Sequence, residues 1–437
     1  MNGFNIINNY KTIYLSIFAI FSFILFFQVP DQNRLELDSQ LYDRIAKNFA
    51  ENSDLSDSNN TQFMPVTAMG YPLLMGLVFK VFGANYKIII LLQILLSIFC
   101  FFLIYNICFK FFDERVAKIS LFLSCINLGF IIHSQFILTE ILLVTFLLLF
   151  LYCFSEFILS NNFYYLSSSG LFLGISILVK PVAIFFLPVP VLLIQNFKKI
   201  FIFLLAFAIP VIGYIFFNYN KYNIVSLNPA GYENIYRYYL PRVLACKNNI
   251  SLEKAQTQID NLVTENNDSS LRYGPDLKNL LIKTCLSSPV IAISVWIRNV
   301  IKTYFGLYTT ELKVLYNLDL RGGICSYFKM SGTIFEKISS YVTFGTNSKI
   351  IKTIGFWEIF YLLFQYILIL LACYNLFLNK QFNVLFLLLS FIIYFALITG
   401  HDGFGRYRMI FEPVLIILNS VGISQFLNIL FKQEKYA

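Results

Sequence analysis

The sequence predicts an all-α polytopic membrane protein, with about 10–12 transmembrane helices, an outward-facing juxtamembrane helix in the first loop and a small extracytoplasmic segment. Three observations lead there. Of 437 residues, 58% are hydrophobic and 13% charged, with a mean hydropathy of +0.68. A soluble chain is nearer to about 45–50% apolar and about 25% charged. Apolar runs of bilayer-spanning length, about 20 residues, recur along the whole chain. Lysines and arginines gather in alternate short loops.

The runs lie at roughly 12–29, 86–109, 117–134, 138–158, 164–179, 181–195, 200–217, 353–378, 382–399 and 409–431. The first is long for a signal-peptide core and lacks a small-x-small cleavage site, so it reads as a retained anchor. An even number of spans puts both termini on one side. The stretches 68–82 and 288–308 are apolar but ambiguous, the latter because it carries Arg298 and Lys302. Lys11, then Lys110, Arg115 and Lys118, then Lys198 and Lys199, then Lys380, then Lys432 and Lys435 alternate with the spans to fall on one face. By the positive-inside rule that face is cytoplasmic. The polar segments 30–67 and 218–287 then face outward.

This organisation divides the chain into a transmembrane module at 1–217 with its first outer loop at 30–67, an extracytoplasmic or interfacial segment at 218–350, and C-terminal transmembrane helices at 351–437. Residues 51–62 read as a flexible loop. The net charge of +9 is partly absorbed by membrane orientation and calls for no nucleic acid. The 49 Phe and 28 Tyr, alongside abundant Ile, Asn and Lys, read as the lipid-facing filler of an AT-rich genome. Five cysteines lie in apolar runs as small hydrophobes. Cys246, Cys285 and Cys325 lie in the most polar region, where a Cys246–Cys285 disulfide is open. The sequons at Asn59, Asn249 and Asn267 read as chance matches in a bacterial protein.

The chemistry is concentrated near span ends. The acidic segment Glu36-Leu-Asp38-Ser-Gln-Leu-Tyr42 follows the first span. From Asp38 onward, Leu41, Tyr42, Ile45 and Phe49 recur at helical spacing, which predicts a short amphipathic helix on the outer membrane face. Asp38 at its start is either an N-cap or a catalyst. Glu140 opens the fourth span, where an acid also suits the helix dipole. Lys180, Arg406 and Arg408 lie near the outer surface and suit a phosphate. Arg406 and Arg408 stand two positions apart, so on a helix they diverge and one faces a cavity. Tyr42, Tyr71, His401 and Tyr407 complete the candidate cavity lining.

The motifs resemble a known family. Asp38-Ser39-x-x-Tyr42-x-x-x-Ala46 resembles the signature of C-type glycosyltransferases, most closely the protein mannosyltransferase and aminoarabinose transferase group, family 39. Gly70-Tyr71-Pro72-Leu73 with Phe82-Gly83, Thr139-Glu140, Gly170-Leu-Phe-Leu-Gly174 with Lys180-Pro181, and Gly405-Arg406-Tyr407-Arg408 with Pro413 follow in the group's order. Asn228-Pro-Ala-Gly231-Tyr232-Glu-Asn234 resembles a turn near the group's active site. Many relatives carry Asp-Glu where this chain has Asp38-Ser39, and Ile410 stands where a proline is frequent.

The resemblance implies an inverting transfer of a monosaccharide from a polyprenyl-phosphate donor to an extracytoplasmic lipid, glycan or protein. Asp38 is then the general base, Glu140 orients the acceptor or joins Asp38 at a metal, and Lys180, Arg406 and Arg408 hold the donor phosphate. A divalent cation is the one cofactor suggested, with His401-Asp402 adding ligands; members differ on this, and the metal ligands stay open. The expected location is the inner (plasma) membrane of a bacterium, with the site facing out. The rival readings are a lipid-linked sugar flippase, which calls for repeats, broken helices and mid-membrane charges, and a glycan ligase using a polyprenyl diphosphate.

Overall fold

A computed structural model describes residues 9–35, 37–57, 68–223, 225–227, 235–264, 275–318 and 332–433. Glu36, Cys325, the sequons at Asn59 and Asn267 and the turn at 228–234 lie outside the described residues. Among the described residues there is no strand. The chain is an all-α polytopic membrane protein.

Its helices are α1 (Asn9–Gln28), α2 (Leu37–Asn52), α3 (Gly70–Phe82), α4 (Tyr86–Phe111), α5 (Glu114–Ile126), α6 (Leu128–His133), α7 (Glu140–Ser160), α8 (Phe163–Val179), α9 (Pro188–Leu193) and α10 (Phe197–Tyr222). After a π-helical turn, Ile235–Tyr239, come α11 (Leu240–Asn248), α12 (Leu252–Thr264), α13 (Pro275–Ser287), α14 (Pro289–Phe305), α15 (Tyr308–Leu315), α16 (Ile334–Thr343), α17 (Lys349–Leu378), α18 (Phe382–Ile398) and α19 (Glu412–Gln433). Short 3₁₀ turns at Asp31–Arg34, Pro181–Phe186, Thr399–His401 and Gly405–Ile410 connect them.

Among the described residues, seven helices are long and apolar enough to cross a bilayer: α1, α4, α7, α10, α17, α18 and α19. The other three expected spans are shorter or interrupted, each for a local reason. The run 117–134 breaks at Asn127, whose side chain caps Phe130 N at 3.2 Å and donates to Glu412 Oε1 at 2.8 Å. The run 181–195 carries Pro181, Pro188 and Pro190 and folds as a 3₁₀ turn followed by the six-residue α9. The run 164–179 is the single 17-residue helix α8. The ambiguous stretch near 288–308 is α14, which meets α13 at a 103° bend.

Close packing explains two glycines of the motifs. A methyl on Gly170 or Gly174 would run into the backbone carbonyls of Phe203 and Phe207. This small-x-x-x-small seam brings the backbones of α8 and α10 together without a hydrophobic driving force between helices. The largest core runs through α4–α8, α18 and α19, while α11, α12 and the start of α14 enclose smaller clusters around Leu240 and Val243.

Of the basic residues expected on one face, Lys435 lies outside the described residues; the described ones stand at the helix ends remote from Asp38, where several meet partners. Lys110 pairs with Glu156 at 3.2 Å, Arg115 donates to Asn428 at 2.6 Å and Lys199 to Asn161 at 2.6 Å. The loop expected to be flexible is pinned in its described part, 51–57. Arg44 grips Asp57 with two hydrogen bonds of 2.9 Å, and Lys221 and Tyr222 both hold Asp54 at 2.9 Å. Cys246 and Cys285 are unpaired, and the described cysteines form no disulfide.

Candidate active site

The first loop supplies the carboxylate. Arg34 is fully buried and donates to the carbonyls of Phe26 (2.8 Å) and Val29 (3.0 Å), and to Gln135 Oε1 (2.9 Å). A cation at the carboxyl end of α1 satisfies carbonyls the helix cannot. The same guanidinium fastens the 134–139 segment, and Ile137 N returns a hydrogen bond to Arg34 O at 3.2 Å. Asp38 and Glu140, each a few residues beyond this clamp, are thereby fixed relative to one another. Amphipathic α2 follows, with Ile45 and Ala46 fully buried, and Asp38 lies in its first turn.

The last loop supplies the cation. Arg406 Nη2 donates to Asp38 Oδ2 at 3.0 Å across 368 positions of sequence. Glycines make that approach possible: a methyl on Gly306 would meet the Gly405 backbone at 2.7 Å, and Gly403, at φ +76°, packs on the Asn299 backbone. Arg242 fixes the same loop by donating to Asp402 Oδ1 at 2.9 Å and to its carbonyl at 2.7 Å.

Behind this pair lies a second one. Lys180 Nζ stands 3.5 Å from Glu140 Oε1, with Glu140 buried. The Tyr407 ring is shared between the two cations, with Lys180 and Arg406 each 5.1 Å from its centroid, and His401 lies 5.8 Å away. Tyr42 packs edge-on to Tyr71 at 5.6 Å, and Tyr71 donates to Gln93 Oε1 at 2.9 Å. Burial works against the charge of Arg406, but Tyr407, Asp38 and Glu140 outweigh it and hold the guanidinium protonated. Burial, then the charges of Asp38 and Glu140, raise the Tyr42 phenol, so it stays a neutral donor.

Asp38, Glu140, Lys180, Arg406, Tyr42, Tyr71, His401 and Tyr407 are thus gathered in one region. Arg408 is not part of it. It is 1% exposed and donates to Glu412 Oε2 (3.1 Å), Glu358 Oε1 (3.3 Å) and the carbonyls of Tyr304 (3.1 Å) and Gly306 (2.8 Å). With those partners it has no fork left for a phosphate. The carboxylates expected to share a metal are each engaged by a different cation: Asp38 by Arg406, Glu140 by Lys180, Asp402 by Arg242. Among the described residues, no three His, Cys, Asp or Glu side chains converge as a metal site.

Residues 66–216 match the model of the family described as dolichyl-phosphate-mannose-protein mannosyltransferase. The fold is similar to that of the oligosaccharyltransferase AglB from Archaeoglobus fulgidus in complex with an inhibitory peptide and a dolichol-phosphate. There the identity is 13% and the TM-score 0.50, covering 98% of this chain and 52% of that one. The chain is thus similar to that mannosyltransferase family over residues 66–216 and shares its fold with AglB over nearly its whole length. The A. fulgidus oligosaccharyltransferase in complex with Zn and sulfate matches at 14% identity and TM-score 0.51, over 95% of this chain and 49% of that one. ArnT from Cupriavidus metallidurans bound to undecaprenyl phosphate matches at 11% identity and TM-score 0.41, over 95% and 77%. No curated protein matches the sequence. The chain spans about half the length of the archaeal proteins it resembles.

Three residues in and around this candidate site escape sequence reading. Arg34 looks like any basic residue after a span, and its partners are mostly backbone. Tyr238 lies in the π-helical turn that packs against Thr399–His401, and nothing in its tyrosine-rich neighbourhood marks it. His133 is buried, against Tyr308 at 5.5 Å and Phe136 at 6.2 Å. Its only signal was rarity, the chain having two histidines.

Proposed function

We propose that the protein is a membrane glycosyltransferase that moves a monosaccharide from a polyprenyl-phosphate donor to an extracytoplasmic lipid, glycan or protein acceptor, with inversion. The observation that carries this reading is the Asp38–Arg406 pair at 3.0 Å, backed by Lys180 and Glu140. It unites the two most separated motifs of the chain at one end of the helices. The match of residues 66–216 to a family described by a dolichyl-phosphate sugar supports the donor class. The positive helix ends lie opposite, which supports a site facing out of a bacterial inner membrane.

The chemistry follows from the charges. A donor phosphodiester presents Arg406 with two charged oxygens held in the site by its lipid and sugar, against a half-exposed carboxylate that water can take over. On binding it displaces Asp38 from Arg406 and frees the carboxylate as base. The acceptor O–H or N–H gives its proton to Asp38 as the acceptor atom bonds to the anomeric carbon from the face opposite the phosphate. The anomeric C–O bond breaks, and its electron pair leaves with the polyprenyl phosphate, stabilised by Arg406 and Lys180. Glu140 orients the substrate from beneath. One displacement requires no second carboxylate as nucleophile. Because the described carboxylates do not converge, no step of this scheme passes through a metal.

Asp38→Asn tests the reading. It keeps shape and removes the base, and half-exposed Asp38 contributes little to folding. Release of polyprenyl phosphate by purified protein is expected to fall about 10²–10⁴-fold, with unchanged accumulation in the membrane. Near-normal turnover would remove Asp38 from the mechanism.

A further inference from the structure

Unpaired polar atoms recur on the elements that pack around the Arg406 turn. Among the described residues, both ring nitrogens of His133, Glu140 Oε2, His401 Nε2, Arg406 Nε and Ser39 Oγ are buried without a hydrogen-bond partner. His133 and Glu140 are each 2% exposed. Leaving one buried donor or acceptor unmet costs about 1–3 kcal/mol, so native interiors seldom leave several together without something to fill them. Helix α6, which ends at His133, packs against the Gly405–Ile410 turn that carries Arg406, which puts the ring beside the site. Tyr308 and Phe136 hold that ring from the sides, so its nitrogens have a fixed direction.

A ligand for this spot must both donate and accept. Glu140 Oε2 only accepts, while a neutral imidazole donates from one nitrogen and accepts at the other. A phosphate satisfies neither the carboxylate nor the accepting nitrogen. A hydroxyl can donate to one of the two acceptors while accepting from the imidazole N–H, and two neighbouring hydroxyls satisfy all three atoms. The cations that suit phosphate, Arg406 and Lys180, flank this group, and Arg406 lies nearer to solvent, its side chain 18% exposed.

We infer that His133 and Glu140 form the subsite for the hydroxyl groups of the transferred sugar, below the cations that take its phosphate. The inference rests on the polyprenyl-phosphate reading above and adds to it a specificity-determining residue, His133. The imidazole touches the sugar and not the reacting atoms, so its weight falls on donor binding.

Binding to purified protein in nanodiscs tests it, with two probes of equal charge. One is a panel of decaprenyl-phosphate hexoses; the other is the methyl diester of decaprenyl phosphate, which keeps the lipid and the phosphate and lacks the sugar. In the unaltered protein at least one hexose diester is expected to bind more tightly than the methyl diester. His133→Phe is expected to weaken that hexose diester roughly ten-fold and leave the methyl diester unchanged, which also shows that the variant is folded. His133→Gln, which keeps a donor and an acceptor, is expected to restore most of the loss. Equal weakening of both probes, or of neither, overturns the sugar subsite, as does an unaltered protein that binds no hexose diester more tightly than the methyl diester. If the unaltered protein binds neither diester, the donor class itself is wrong.

Discussion

Arg406 and Arg408 leave the same 3₁₀ turn two positions apart and meet opposite fates. At three residues per turn such side chains emerge far around the axis from one another. Arg408 turns inward to two glutamates, two carbonyls and the Tyr308 ring at 4.2 Å. Arg406 turns outward to one carboxylate and the Tyr407 hydroxyl at 3.4 Å, with Nε unmatched. One arginine is a rivet between α15, α17 and α19, and the other is only partly engaged. What separates them is how many of the five donors the protein itself has filled.

Breaking the rivet has the largest expected effect. Arg408→Ala strands Glu358 and Glu412, both nearly fully buried, and removing one partner of such a pair destabilises by about 3–5 kcal/mol. Thermal unfolding in detergent or nanodiscs should show a marked loss, along with poor accumulation. Arg408→Ala with normal stability would undo the distinction drawn here. Arg406→Ala should do the reverse. Its stability stays within about 1 kcal/mol, while affinity for decaprenyl phosphate falls roughly 10- to 100-fold as a charge-assisted contact is lost.

One substitution is expected to move both. Gly405→Val forces a branched side chain into the contact with Gly306 and lifts the whole turn. Overpacking of that kind costs about 1–3 kcal/mol. Both thermal stability and decaprenyl-phosphate affinity should fall, where each arginine variant moves one. A change in affinity alone would mean that the turn is not seated through its glycines.

Much of this contrast was legible in the sequence, and the rest was not for identifiable reasons. Two arginines at that spacing diverge on any helix, so one outward and one inward was readable. Which one turned inward was not. The partners of Arg408 include Glu358, whose carboxylate also accepts from Tyr308 N at 2.6 Å and Thr309 N at 2.9 Å, and its run reads as a plain apolar span. The seven long helices follow from apolar length alone. The breaks at Asn127 and in the proline-rich 181–195 run depend on tertiary partners and on spacing that hydropathy averages away. His133 was hidden by the same averaging, as one polar residue inside an apolar stretch. The motif glycines at 170 and 174 were visible, but their purpose emerges only when α10 lies against them.

A third arginine sharpens the comparison from the weak side. Arg44 makes the best-formed fork of the three, with Nε and Nη2 each 2.9 Å from a different oxygen of Asp57. Geometry alone would rank it first. Its side chain is 35% exposed, however, and water screens the attraction from the arginine's end, while Asp57 itself is buried. Arg44→Ala is therefore expected to lower stability by less than Arg408→Ala does and to leave decaprenyl-phosphate affinity unchanged. Thermal unfolding beside Arg408→Ala gives the test, since the two variants remove the same chemical group from different depths. Equal losses would mean that depth does not decide the matter and that hydrogen-bond geometry does. The expected inequality would mean that an arginine's role in this fold is set by how deeply the guanidinium itself lies.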